Sequence, residues 1–371
     1  MATCYLCKSE LSGTNESKEH IFLNAIGGRL GTKTILCREC NSSFGEKPDA
    51  ELAKQLNFVS NMLNIRRERG TPPDIRGTLK STGEQYLVSP EGKPALAKPS
   101  FEKTVEGETT VYQIKVRSHD ELRKTMEGLK RHHPDINVDE IVNNAKMQTE
   151  PLSEMLHFQL VIGGSLALRS ICKTAVNFYL FKGGEVKHIA HVIPYLKEET
   201  NLEIVNQYLD DSRIKTEATS SVSHSIFIIG DPKERILYTY IEFFSAFSFI
   251  VRLSTEYDGP AITESYSYDV LNEVETPTAT INPIEPEFVR TYDYRRASLN
   301  FSKLTERLSA VLKIAVGRQL NNHAGSITKD AIANSLGKYP EGTVITEAMA
   351  DELVAEMMKR IEPIIRRNLS D

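Results

Sequence analysis

Four cysteines near the N-terminus have the residue type and the spacing of a metal site. Cys4 and Cys7 form one C-x-x-C pair, and Cys37 and Cys40 form a second. Each pair places two sulfurs on one tight turn, and two pairs complete the tetrahedral shell that zinc prefers in structural sites. Four reduced core cysteines would not explain the paired spacing, and a redox role would need a βαβ pattern that is absent here. We therefore predict a closed, structural Zn²⁺ site.

A glutamate and a histidine lie side by side between the two cysteine pairs, as Glu19 and His20, and Asn41 follows the last cysteine directly. A neutral imidazole can accept a proton near neutral pH without a large pKa shift, which suits a general base. Two ordinary explanations stand beside this one. The histidine could be a surface or core residue, and Asn41 could cap the helix after the second cysteine pair.

In order along the chain, the motifs are C-x-x-C, E-H-I, C-x-x-C-N-x-x-F-G and then an acid. This order resembles the zinc-containing branch of the HNH, or ββα-metal, endonuclease superfamily. The resemblance covers about residues 4–55, roughly a seventh of the chain. It implies a ββα finger, in which two strands carry Glu19-His20 and the second cysteine pair, and a helix follows.

The resemblance also implies roles for particular residues. His20 would be the general base that takes a proton from the attacking water, Asn41 would orient it, and Glu19 would bind a catalytic metal. The family has a second metal ligand on the helix, where this sequence has neither His nor Asn; Asp49 is our choice for that ligand. The alternative for Asp49 is an ordinary first-turn acid that the helix dipole favours. Oxygen ligands suit Mg²⁺ or Mn²⁺ in this second site.

Two functions from different classes follow. The first is an HNH endonuclease that hydrolyses DNA phosphodiester bonds with a divalent cation, and the family resemblance extends this to defence against foreign (phage) DNA. The second is a non-catalytic zinc-ribbon module that binds nucleic acid or protein and is fused to a scaffold. The departure at the third HNH position favours the second function, whereas the intact Glu19-His20 pair favours the first.

Composition sets the broad class of the protein. The chain has 371 residues, of which 40% are hydrophobic and 26% charged, which is ordinary for a globular protein of two or three domains. No apolar run is long enough to span a bilayer, and Met1 to Cys4 has no signal-peptide pattern. We therefore expect a cytoplasmic protein with no membrane partner. The net charge of −5 does not favour nucleic acid, and the N-terminal segment is only slightly basic.

The predicted fold class is α+β: a small zinc-stabilised ββα-metal finger, then a larger mixed α+β region with an antiparallel sheet and C-terminal helices. Three parts are expected, with residues 1–70 as the HNH domain, 71–300 as a recognition, sensor or scaffold domain, and 301–371 as a helical segment. Two prolines after residue 70 deny helix continuation and favour that boundary. The middle region could bind an activating ligand or partner protein, and the amphipathic C-terminal helices are compatible with a homodimer.

Hydrophobic periodicity places the main elements. It predicts helices at 49–67, 165–181, 302–320, 328–336 and 346–361. It predicts a meander of strands at 223–229, 235–242 and 245–253, and a β-prone segment at 186–193. Cys172 falls on the apolar face of the second helix and is expected to be an inert core thiol.

Overall fold

The computed structural model describes residues 2–107, 109–146, 152, 154–216, 221–293, 295 and 301–368. The chain divides into two compact units, Met1–Val311 and Leu312–Asp371. The α+β class is confirmed, since antiparallel sheets and helices are both present. The three-part division at residues 70 and 300 stays a prediction, and its boundary at residue 300 lies outside the described residues.

The N-terminal module consists of two short strands and two helices. These are β1 Glu19–His20, β2 Gly31–Thr32, α1 Arg38–Glu46 and α2 Pro48–Met62. The two strands are antiparallel. The chain between them turns tightly, and a Cβ at Gly28 would lie 1.9 Å from a backbone oxygen, so only glycine fits there. The module therefore has the ββα order that its motifs predict.

Small antiparallel sheets and two helices come next. The three-stranded sheet contains β3 Ile75–Thr78, β4 Gln85–Val88 and β5 Pro94–Leu96; a hairpin of β6 Ser100–Glu106 and β7 Thr109–Lys115 precedes α3 His119–Lys130 and α4 Val138–Asn144. The core of this hairpin and helix layer contains Met126, Val138 and Val142.

A buried helix, α5 Ser165–Phe181, packs against α2 and against a six-stranded antiparallel sheet. The α-helices and strands between α5 and residue 300 are α6 Ile193–Leu196, β8 Val205–Tyr208, β9 Ile214–Thr216, β10 Ser223–Asp231, β11 Ile236–Phe243, β12 Phe247–Ser254, β13 Ile262–Asp269, β14 Val274–Glu275, β15 Thr278–Ile281 and α7 Pro286–Thr291. The sheet order is β14-β13-β10-β11-β12-β8, and β9 pairs with β15. Twelve residues of α5 are buried, so this helix is enclosed by its neighbours.

Two long helices end the described chain, α8 Phe301–Ser335 and α9 Glu347–Asn368. The prediction of two helices at 302–320 and 328–336 was therefore wrong, because one helix runs through both. Among the described residues, no helix has the length and apolar character needed to cross a membrane.

Two other expectations need correction. The second cysteine pair does not lie on a strand: Cys37 caps the N-terminus of α1, and Cys40 lies inside that helix. The β-prone segment at 186–193 is mainly a 3₁₀ helix, Val186–Val192. Both segments are short, and periodicity alone does not separate short strands from short helical turns.

Candidate active site

The four cysteines converge on one point. Their Sγ atoms all lie within 4.8 Å of one another, and Cys7 Sγ is 3.7 Å from Cys37 Sγ. A zinc tetrahedron with Zn–S bonds of about 2.3 Å has sulfur–sulfur edges of about 3.8 Å. The sulfurs therefore fit Zn²⁺, and no other group of three or more His, Cys, Asp or Glu side chains in the described ranges forms such a cluster.

A cavity of about 380 Å³ adjoins the N-terminal module. It is lined by all four residues that the motifs single out: Glu19, His20, Asn41 and Asp49. Glu19 lies on β1, Asn41 on α1 and Asp49 in the first turn of α2. Three elements of the N-terminal module, β1, α1 and α2, thus bring the motif residues to one cavity.

His20 is the partly open residue of the Glu19-His20 pair, with 16% of its side chain exposed. Its Nε2 lies 3.3 Å from Oε1 of Glu68, which also accepts a hydrogen bond from Lys18 Nζ over 2.9 Å. Burial lowers the pKa of His20 below its usual value, and the hydrogen bond to Glu68 partly opposes that shift. The imidazole is therefore mainly neutral at neutral pH.

The Asn41 side chain contacts the segment that leads into β1. Its amide Nδ2 donates to Ser17 Oγ over 3.0 Å and to the backbone oxygen of Lys18 over 3.3 Å. These bonds hold the chain two and three residues before His20. Asn41 is thus linked to His20 through the chain segment that precedes the histidine.

Glu19 and Asp49 share one cation, the ammonium group of Lys173. Nζ of Lys173 lies 2.6 Å from Glu19 Oε1 and 2.5 Å from Asp49 Oδ2. Both carboxylates are buried, and the lysine side chain is 1% exposed. Burial alone would lower the pKa of Lys173, but the two carboxylates outweigh it and raise that pKa, so the ammonium stays charged.

Two further α5 side chains hold these carboxylates. Ser170 Oγ donates to Asp49 Oδ1 over 2.6 Å, and Asn177 Nδ2 donates to Glu19 Oε1 over 2.8 Å. Asn177 Oδ1 in turn accepts a hydrogen bond from Tyr5 OH over 2.9 Å. The site is therefore built from the N-terminal module and from a helix more than 100 residues downstream.

The phenylalanine of the C-N-x-x-F-G motif covers the same lysine. Nζ of Lys173 lies 5.3 Å from the centre of the Phe44 ring, within the range of a cation–π contact. The motif's glutamate, phenylalanine and following acid thus all contact one residue that the motif does not contain.

The α5 residues were missed in the sequence, although a signal for them exists. Ser170, Lys173, Thr174 and Asn177 recur at helical spacing within a largely apolar helix. A polar stripe on the buried face of a helix indicates buried partners, because unpaired polar groups are costly inside a protein. Glu68, which follows the helical segment, carried no comparable signal.

The geometry agrees with a comparison against known families. The model of the HNH endonuclease family matches residues 4–57. The N-terminal module is similar to that family, and we call it the HNH module. The match covers the four cysteines, Glu19, His20, Asn41 and Asp49, and it ends well before Lys173. No curated protein and no solved structure matches the chain significantly.

The fifth cysteine of the chain, Cys172, lies outside the HNH module. Cys172, next to Lys173, is fully buried in α5, and burial raises the pKa of its thiol. A buried thiol with a raised pKa is unreactive, in agreement with a core role.

Proposed function

We propose that the HNH module is a metal-dependent endonuclease that hydrolyses DNA phosphodiester bonds. The observation that carries this proposal is the cavity that Glu19, His20, Asn41 and Asp49 line together. Four residues from three elements, brought to one cavity beside a zinc cluster, supply a base, a residue that positions it, and two carboxylates.

His20 is the general base of this proposal. A hydrogen bond from Nε2–H to Glu68 would leave Nδ1 with its lone pair free, so that Nδ1 takes the proton from the attacking water. The lowered pKa keeps the imidazole in its basic form at neutral pH. Asn41 holds the backbone before His20 and thereby positions the imidazole relative to the cavity.

Glu19 and Asp49 would hold Mg²⁺ or Mn²⁺, because their oxygen donors suit hard divalent cations. The position between them already holds one positive charge, which supports the fit of a cation there. When bound, the metal would polarise the scissile phosphate and stabilise the leaving oxygen. Cys4, Cys7, Cys37 and Cys40 would hold the structural Zn²⁺.

Cationic side chains at the same cavity suit a phosphate backbone. Lys18 and Arg67 line it together with the motif residues. Lys and Arg supply most of the sequence-independent affinity of proteins for DNA. Their location supports a nucleic acid substrate in spite of the net charge of −5.

One observation favours the second candidate, a non-catalytic zinc module. Lys173 occupies the space between the two carboxylates, as a buried ion cluster that stabilises the packing of α5 would. In that case the HNH module would serve as a binding domain on the scaffold of the downstream region.

Cleavage of plasmid DNA separates the two candidates. Purified protein is incubated with supercoiled plasmid and Mg²⁺ or Mn²⁺, beside His20→Ala and the control His132→Ala, which changes an exposed histidine far along the chain. An endonuclease nicks or linearises the plasmid, and only His20→Ala loses this activity. Equal results from all three proteins, across several metals and DNA substrates, would support the binding module.

The downstream region, the cellular location and the biological role are part of the same proposal. We propose that residues 71–300 recognise DNA, an activating ligand or a partner protein, and that residues 301–371 mediate a homodimer. We propose a cytoplasmic protein, because a reducing compartment keeps four cysteines available for zinc. Defence against foreign DNA is the biological role that we propose for such a nuclease.

A further inference from the structure

The space between Glu19 and Asp49 is filled by a side chain of the protein itself. We propose that Lys173 is an internal cation that closes the metal site, so that a divalent cation binds there only after the Lys173 side chain has moved out. This inference rests on the proposed function in one respect, since it takes Glu19 and Asp49 as the metal ligands.

The distances leave no room for both cations. Nζ of Lys173 lies 2.6 Å from Glu19 Oε1 and 2.5 Å from Asp49 Oδ2. A magnesium ion contacts its oxygen ligands at about 2.0–2.1 Å. An ion in contact with these same two oxygens, on the side where the ammonium group lies, would therefore overlap with it.

The charges lead to the same conclusion. Two carboxylates with one ammonium carry a net charge of −1, and two carboxylates with one divalent cation are neutral. A divalent cation added beside the buried ammonium would leave an excess positive charge among buried side chains, which is strongly unfavourable. The site can therefore hold either cation but not both.

Residues of α5 hold Glu19 and Asp49 in place around Lys173, and the adjoining cavity gives the Lys173 side chain a space into which it can move. Ser170 and Asn177, one turn on either side of Lys173, hold the other contacts of Asp49 and Glu19. Lys173 also lines the 380 Å³ cavity, so its flexible four-carbon stem can swing the ammonium into that space. A ligand or DNA phosphate that attracts the ammonium into the cavity would thus open the metal site.

Manganese binding to the full-length, zinc-loaded protein tests this directly, without DNA. Free Mn²⁺ is followed by electron paramagnetic resonance in titrations of the wild type, of Lys173→Met and of the control Lys182→Met at the end of the same helix. Lys173→Met should bind Mn²⁺ about tenfold or more tightly than the wild type, because the competing charge is gone. Lys182→Met should bind like the wild type. Equal or weaker binding by Lys173→Met overturns the proposal.

Two additions keep the test decisive. Glu19→Gln in the Lys173→Met background must remove the gain, which assigns it to this site; a gain that persists overturns the proposal. If Lys173→Met does not fold, wild-type crystals are soaked in MnCl₂ and manganese is located by anomalous scattering. Manganese on both carboxylates with Nζ still between them contradicts the proposal, whereas a displaced Nζ supports it.

The Mn²⁺-binding test of Lys173 and the DNA-cleavage test of the proposed nuclease can fail independently. His20→Ala abolishes cleavage under the proposed function but should keep the gain in Mn²⁺ affinity from Lys173→Met. If the tighter binding is observed and no DNA is ever cut, the nuclease proposal fails while the internal cation stands.

Discussion

Asn177 donates a hydrogen bond from Nδ2 to Oε1 of Glu19 over 2.8 Å, although the two residues are 158 positions apart. The oxygen of the same amide accepts a hydrogen bond from Tyr5, next to Cys4 of the four-cysteine cluster. One buried side chain thus ties the Glu19 carboxylate and the zinc end of the HNH module to α5. The module is therefore held in place by the downstream region as well as by its own contacts.

Asn177→Ala should therefore destabilise the protein. It leaves the buried hydroxyl of Tyr5 without its acceptor and removes one donor from buried Glu19. Leaving buried polar groups unsatisfied costs about 1–3 kcal/mol of unfolding free energy. Urea denaturation followed by circular dichroism measures the loss. Asn143→Ala, at an exposed site on α4, should change the free energy by less than about 0.5 kcal/mol; equal effects of the two variants would contradict the role of Asn177.

Zinc binding can be tested through the cysteines. Cys37→Ser should reduce bound zinc from about one ion per chain to nearly none, because three thiolates hold the ion far less tightly than four. Elemental analysis of the dialysed protein measures the zinc content. Cys172→Ala is the matched control, since this buried cysteine lies outside the cluster and its loss should leave the zinc content unchanged. Zinc retained by Cys37→Ser would refute the four-cysteine site.

Much of the HNH module could be predicted from the sequence, because its signals are local. Two C-x-x-C pairs define a ligand set over a few residues each, and the Glu19-His20 pair and Asn41 have fixed places relative to them. The bounds of α5 were also correct, since apolar periodicity runs between two Gly-Gly pairs that end it. Such patterns depend on sequence neighbours alone.

The contacts of Lys173 could not be predicted in the same way. They depend on how α5 packs against β1 and α2, and no local sequence pattern encodes which buried polar residues meet which partners.

The prediction of the C-terminal helices failed for a different reason. Residues 321–327 contain weak helix formers, including Gly325, yet α8 runs through them. A helix interior glycine costs only about 1 kcal/mol, which the rest of a 35-residue helix offsets.

Stability should fall in mild acid because of His224. Its ring is fully buried, with Nε2 donating to the backbone oxygen of Ile26 over 2.9 Å and Nδ1 accepting from the backbone of Phe244. Burial lowers the pKa of His224 to about 4, whereas the unfolded value is near 6.5. The unfolded state therefore binds the proton more readily, and stability that is complete above pH 6.5 is lost as the pH falls toward 4.

This one group should reduce the unfolding free energy by about 3 kcal/mol between pH 6.5 and 4. Denaturant titrations at several pH values measure the slope. In His224→Asn, the decrease over that range should be smaller by a similar amount, whatever the variant's stability at neutral pH. His132→Asn changes an exposed histidine and should keep the wild-type slope. An unchanged slope in His224→Asn would disprove the assignment.

The fall in kcat/KM for DNA cleavage at low pH, the acid limb of the pH profile, should report the pKa of His20. Because burial lowers that pKa, the base is neutral above pH 6.5, and kcat/KM should be independent of His20 ionisation from there to pH 8. Below the pKa of His20, kcat/KM should fall about tenfold per pH unit as the imidazole becomes protonated. A limb above pH 6.5 would assign the essential base to another group.

The substitution Glu68→Gln should shift the pH dependence of DNA cleavage in a predictable direction. The hydrogen bond to the Glu68 carboxylate raises the pKa of His20, so its replacement by a neutral amide should move the acid limb to lower pH. A neutral amide oxygen also accepts a weaker hydrogen bond from Nε2–H than a carboxylate does, so we expect the imidazole to be held less firmly and the plateau in kcat to be lower. Glu46→Gln, at an exposed position on α1, removes the same charge from a residue that does not shift the pKa of His20 and should leave both the limb and the plateau unchanged. A limb that moves to higher pH in Glu68→Gln would exclude His20 as the group that the profile reports.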